Sequence, residues 1–189
     1  MGEICKRFLL VTSPICNILL VLTRKEPDTM MQICDLPAAY ARVHLPAKVA
    51  LAVTQKPDGQ FNLITIEWFM RTSIQPPMFA ISIGHTRYSH DCLEENRFFN
   101  LVFPAPEMKS LLTLCGSNSG RDMDKFTAGE VKFINGKLHK LPVLTGAIAV
   151  FECEVTSQVR SGDHTIYIGQ VHYSWQDTDK ALFYYPEKG

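Results

Sequence analysis

At 189 residues the chain is long enough for one domain with a substantial core and short for two. An apolar fraction of 46% and a charged fraction of 20% are ordinary for a soluble globular domain. Basic and acidic residues both number 19, so no basic excess points to nucleic acid and no acidic tail is present.

The chain opens with Lys6 and Arg7 ahead of an apolar run, residues 8–22, broken by Ser13, Pro14 and Asn17. That run is too short and too interrupted for a membrane-spanning helix, which needs about 20 mostly apolar residues. A signal peptide has the same order of charge and apolar segment, but Arg24, Lys25 and Glu26 stand where a small-residue cleavage site belongs. Residues 1–35 are therefore expected as an N-terminal extension: an added strand or helix on the main domain, or the product of an upstream start codon. The domain itself is expected over residues 36–189. None of the six cysteines forms a CxxC pair, and a chain of this size needs no disulfide staples. They read as reduced, mostly buried thiols of a cytoplasmic protein, with Cys115 set apart by the glycine beside it.

Residues 48–54 (KVALAVT), between Pro46 and the turn Pro57-Asp58-Gly59, predict a strand. Residues 61–69 follow as its hairpin partner, rich in β-branched and aromatic side chains. Pro76-Pro77 resets the chain, and residues 78–84 (MFAISIG) form a third strand ended by Gly84. Ser89 reads as the N-cap of a short helix reaching Asn96, with Asp91 in its first turn. Another strand covers residues 98–103. Met108, Leu111, Leu112 and Cys115 then recur at helical spacing in an amphipathic helix over residues 107–115, with Gly116 as its stop. Strands at residues 147–157 and 164–175 flank a tight turn at Ser161-Gly162-Asp163. Short strands with two modest helices between them argue a mainly β fold, a β-barrel with helical insertions, rather than a βαβ sandwich. No repeat, low-complexity tract or domain linker interrupts it.

Several chemistries are excluded by their missing motifs. No GxGxxG follows a strand, the glycine-rich stretch CGSNSGRD lacks the Walker ending, and its spacing of glycines holds Asn118 where a nucleophile elbow needs serine. No metal site is expected, since none of the six histidines stands at ligand spacing from another histidine, a cysteine or a carboxylate. What remains suits an anion and a planar ring. Thr86, Arg87 and Ser89 lie between a strand end and a helix start, where free N–H groups and the helix dipole favour a phosphate. Arg87 can add bidentate bonds, although a solvated turn with a helix cap has the same residues. Asn62 and Trp68, six apart in the sequence, would share one face of a single strand, with an amide for a ring edge and an indole for the ring, or Trp68 simply in the core. Lys125 reads as a solvated lysine or as an ammonium aimed at an anion. His164 opens a strand after a turn, as a polar turn residue does.

Three segments together, NLITIEWFMRTSIQPPMFAISIGHTRYSH (62–90), CGSNSGRDMDKF (115–126) and GDHTIYIG (162–169), closely resemble the flavin reductase-like and flavoredoxin family, whose members bind FMN on a split β-barrel. The likeness runs from about Leu45 to Tyr185. It implies cofactor contacts at Asn62, Thr65 and Trp68, at Thr72 and Ser73 on the following turn, and at His85, Thr86, Arg87 and Ser89 around the phosphate. Ser119, Gly120 and Arg121 match the family's loop at the ring, and every fixed position of C-G-x-x-S-G-R-D is kept. In the same reading Lys125 reaches the phosphate or the pyrimidine oxygens. His164 lies near the pyrimidine side, where it would stabilise reduced flavin. Tyr184, with Phe183 and Tyr185, is the candidate cover for a chain that ends at Gly189.

The implied function is that of an FMN-binding flavoprotein, a flavin reductase passing hydride from NADH or NADPH to flavin, with no residue needed as acid or base. A flavoredoxin-like electron carrier with a redox protein partner uses the same residues, and a flavin-free binding module is the third reading. The resemblance also implies a homodimer, with no nucleic acid or membrane partner.

Overall fold

The structure, a computed structural model, describes residues 33–41, 43 and 45–185. All but the last three positions of the expected N-terminal extension lie outside the described residues. A short helix α1 (Leu36–Tyr40) comes first, its N-terminus capped by Asp35, whose carboxylate accepts from Ala38 N.

The strands are β1 (Ala47–Lys48), β2 (Ala50–Gln55), β3 (Phe61–Ile66), β4 (Phe69–Ser73), β5 (Met78–Gly84), β6 (Phe98–Pro104), β7 (Phe133–Asn135), β8 (Pro142–Leu144), β9 (Ala147–Ser161), β10 (His164–Gln176) and β11 (Tyr184–Tyr185). The helices after α1 are α2 (Tyr88–Glu95), α3 (Lys109–Ser117) and α4 (Lys125–Ala128), with a 3₁₀ turn (Pro106–Met108) leading into α3. A seven-stranded antiparallel sheet runs in the order β3-β2-β6-β9-β10-β5-β4. It curls until β3 meets β5, although four strands separate them in that order. The fold is a split β-barrel with helical insertions, as expected. No helix among the described residues is long and apolar enough to cross a membrane.

β2 shows why KVALAVT is apolar throughout. Its odd positions Leu51 and Val53 join Leu63, Val102, Met108, Leu112 and Cys115 in a core beneath α3. Its even positions Ala50 and Ala52 join Ile81, Ile83, Phe99, Leu101 and Tyr167 in a second core, closed by Leu93 of α2. A strand buried on both faces has no polar side to show. The helical spacing Met108–Leu111–Leu112–Cys115 does face the first core.

Several expectations need correction. Residues 61–69 are not one strand: β3 ends at Ile66, and β4 begins at Phe69 on the opposite edge of the sheet. β3 pairs with β2, and β4 with β5. Between them the chain steps across, held by Ser82 N–H donating to the Trp68 carbonyl at 2.9 Å. Asn62 and Trp68 therefore do not share a strand face. Ser89 is not the N-cap of α2, which is Arg87. Ser89 lies inside the first turn, its hydroxyl buried against Asn62. Gly116 does not stop α3, which continues to Ser117 and is capped by Asn118, whose backbone and side-chain N–H groups both donate to the Leu114 carbonyl. The turn after β9 is as read: Gly162 takes φ +59°, a conformation glycine adopts freely, and Ser161 pairs with His164 across it. Cys34 is exposed, while Cys92, Cys115 and Cys153 are buried free thiols.

Candidate functional site

A cavity of about 370 Å³ opens where the curled sheet meets the two longer helices. β3 supplies its floor through Asn62, Ile64 and Thr65, and Thr65 is fixed by its hydroxyl donating to Leu112 O at 2.6 Å. The turn after β5 and the start of α2 form one wall, with Thr86, Arg87, Tyr88 and Ser89. The opposite wall is the end of α3 and the chain beyond it, including Ser119, Gly120 and Lys125. Eight of the sequence candidates thus line one cavity: Asn62, Thr65, Thr86, Arg87, Ser89, Ser119, Gly120 and Lys125.

Asn62 is only 2% exposed. Its Nδ2 donates to Ser89 Oγ at 2.8 Å and to Thr54 Oγ1 at 3.4 Å, while its buried Oδ1 has no partner. Turning the amide would place Oδ1 under the two hydroxyls and leave Nδ2 unmet instead. Either orientation leaves one unpaired amide atom, which costs about 1–3 kcal/mol until something polar meets it. Gly120 lies directly on this amide: an added Cβ there would stand 1.9 Å from Asn62 Oδ1. The position tolerates no side chain because the backbone itself roofs Asn62.

Lys125 is buried rather than solvated, at 4% exposure. Its ammonium donates to Leu63 O at 2.7 Å and Cys115 O at 3.1 Å, which leaves one of its three N–H groups for the cavity. Burial pushes its pKa below the ordinary lysine value, and the nearby Arg87 charge pushes the same way. Among the described residues neither Arg87 nor Lys125 is ion-paired with a carboxylate. Arg87 at the start of α2 and Lys125 against the end of α3 are two cations that repel each other beside one cavity, an arrangement that suits an anion. The Cys115 thiol is pushed up to about 11 by burial, so it is protonated at neutral pH and offers no nucleophile.

Beside this cavity lies an aromatic pair. The Trp68 and His164 rings stand 4.7 Å apart at 39°, and His164 Nδ1 is 2.7 Å from Asp163 Oδ1. That bond and the imidazole's charge hold the Asp163 carboxyl below its usual range. A Cβ on Gly84 would lie 3.3 Å from His164 Nε2 and 3.6 Å from the Arg87 stem, so the pair adjoins the Arg87 edge of the cavity. Trp68 is 52% exposed, which removes the core-packing reading.

The remaining candidates lie outside the cavity lining. Thr72 and Ser73 are on the edge strand β4. His85 and His90 both reach the Thr165 hydroxyl, at 3.1 and 3.2 Å. Arg121 turns to α2, pairing with Asp91 and donating to Thr86 O at 3.2 Å. Tyr184 is exposed on β11, paired with Lys48 of β1. Sequence reasoning missed Thr54 and Tyr88 at the site, and Asp91 behind it. Thr54 had a signal, as the polar end of an apolar strand; the Asp91 contact spans 30 residues and had none.

A family profile described as "Flavin reductase like domain" matches residues 42–188. Among solved structures, the chain resembles an FMN-binding protein from Thermus thermophilus with bound p-hydroxybenzaldehyde: TM-score 0.72, 27% identity, covering 85% of this chain and 91% of that one. It also resembles the flavoredoxin of Desulfovibrio vulgaris (TM-score 0.66, 22% identity, 71% of this chain and 72% of that one), a likeness of fold. A flavin reductase of Pseudomonas putida is 26% identical over 142 residues, 74% of this chain and 79% of that protein. The chain spans 62% of the length of one archaeal relative, from Archaeoglobus fulgidus, and 50% of another, from Aeropyrum pernix.

Proposed function

The chain belongs to the flavin reductase-like family, and from that premise we propose that it holds FMN non-covalently in the cavity and serves as a nicotinamide-dependent flavin reductase. The observation that carries the proposal is the pair of unmet polar groups on two residues that line the cavity, the Asn62 amide and the third N–H of Lys125. A ligand with both an anion and ring-edge or hydroxyl donors and acceptors would satisfy them, as FMN does. Thr86, Arg87 and Ser89 with the start of α2 would hold the phosphate, and Lys125 would neutralise charge at the end of α3. Asn62 would bind a polar edge or a ribityl hydroxyl. Trp68 and His164 would flank the ring, with Asp163 fixing the imidazole so that Nε2 is the free ring atom. When bound, FMN supplies hydride and electron transfer, so the chain's own residues need only bind, orient and exclude water.

The exposed edge strand β4, with Met70 60% exposed and Ile74 on the turn just after it 77% exposed, supports a homodimer through this edge. Sedimentation of the purified protein tests that directly.

The function is tested by the visible spectrum of the purified protein, the identity of the flavin released from it, and the rate of NADH and NADPH oxidation with added FMN or FAD. FMN on release and turnover with one nicotinamide are expected. Bound FMN without turnover would move the protein to the electron-carrier reading. Colourless protein that takes up no added FMN would remove the flavin reading altogether.

A further inference from the structure

Arg121 lines no part of the cavity, yet it joins the two walls. Its Nη1 donates to Thr86 O at 3.2 Å, its Nη2 meets the Asp91 carboxylate, and its guanidinium lies 5.0 Å from the centre of the Tyr88 ring. All three partners belong to α2 or to the turn just before it. On its own side, Arg121 N–H donates to Ser119 Oγ and Asp122 N–H to Ser119 O, both at 3.2 Å, so residues 119–122 form one tight turn. Gly120 of that turn is the residue that roofs Asn62. Among the described residues, the bonds made by Arg121 are the hydrogen bonds that tie this turn to α2.

We propose that Arg121 is a positioning residue that clasps the 119–122 turn onto α2 and thereby sets how long a bound flavin stays. The proposal rests on the flavin reading above and assigns Arg121 no contact with the ligand. The clasp is built to open. Both charged side chains are nearly half exposed, 44% and 45%, and an exposed ion pair is weak and screened by salt. The roof is therefore fastened by a bond that breaks readily, whereas the floor is fixed by buried bonds to Ser89 and Thr54 and a partly buried one to Leu112. A weak latch over a rigid floor acts on escape more than on entry, and differences between related complexes lie mostly in dissociation.

The test is stopped-flow release of FMN from the full-length holoprotein, followed by recovery of flavin fluorescence. Arg121→Met and Asp91→Asn should each speed release about five- to tenfold, with association changed less than about twofold. The double variant should release no faster than Arg121→Met, because both changes cut one link. Arg121→Lys should recover part of the slow release. Melting of the apoproteins separates this from general loss of structure, with Tm expected within about 3 °C of wild type. Release at the wild-type rate in either single variant, effects that multiply in the double variant, or faster release only in proportion to a lowered apoprotein Tm, each overturns the clasp. FMN uptake with unchanged release overturns the clasp alone, whereas no uptake by the wild-type chain overturns the flavin reading with it.

Discussion

Glu152 and Lys125 are both buried ionisable groups, at 0% and 4% exposure, and their surroundings differ in one respect. Glu152, on β9, accepts from Lys137 N at 3.1 Å, Leu138 N at 2.6 Å and the Trp175 indole N–H at 2.6 Å. Gly136 closes over it, since a Cβ there would stand 2.6 Å from Oε2. Lys125 has two carbonyl partners and an N–H left over, beside an amide that also lacks a partner. One polar centre is complete within the chain, and the other is complete only with something added. A saturated buried charge pins a turn, whereas an unsaturated one marks a binding site.

The largest effect should come from the closed centre. Glu152→Ala leaves three partly buried donors without an acceptor and is expected to cost about 3 kcal/mol of stability, read from the midpoint of urea unfolding. A loss under about 1 kcal/mol would break the comparison. At the open centre, Lys125→Met should weaken FMN binding by about 2 kcal/mol, roughly 30-fold in Kd, measured by titration calorimetry. If affinity stays within about twofold, the leftover N–H is not the ligand's.

A second carboxylate sharpens the contrast, because it is saturated yet exposed. Asp124 caps α4, accepting from the Thr127 hydroxyl and from the N–H groups of Phe126 and Thr127, and the Thr127 hydroxyl foremost holds its carboxyl below the usual range. Asp124→Ala should cost about 1 kcal/mol at neutral pH. The depressed carboxyl binds fewer protons in the folded state. Its contribution is therefore present above the ordinary carboxylate value and fades as pH falls through the folded one. Wild type and variant should converge in stability in acid, as seen in urea titrations across pH.

Much of this was legible in the chain. GDHTIYIG reads as a turn and a strand because Gly162 must take a positive φ, and its last glycine has a spatial reason: a Cβ on Gly169 would stand 2.6 Å from the Phe99 ring. MFAISIG is β5 to the residue. The readings left open or misplaced share one cause, partners remote in sequence. Lys125 looks like a surface lysine among charged neighbours until Leu63, 62 residues away, supplies a carbonyl. Arg121 reads as a ligand-facing residue because its counter-ion is 30 residues back. Trp68 reads as sharing the strand of Asn62 because β-propensity does not register where one strand stops and the chain steps to another edge.

That step carries a consequence for the whole molecule. Asn62 lies on β3, one margin of the curled sheet, and Trp68 on the step to β4, the other margin, beside β5 where it meets β3. A ligand touching both is a stitch across a seam that ladder bonds do not close. Amide hydrogens along β3 and β4 should then exchange more slowly once the stitch is in place, while those of β9 and β10 keep their rates.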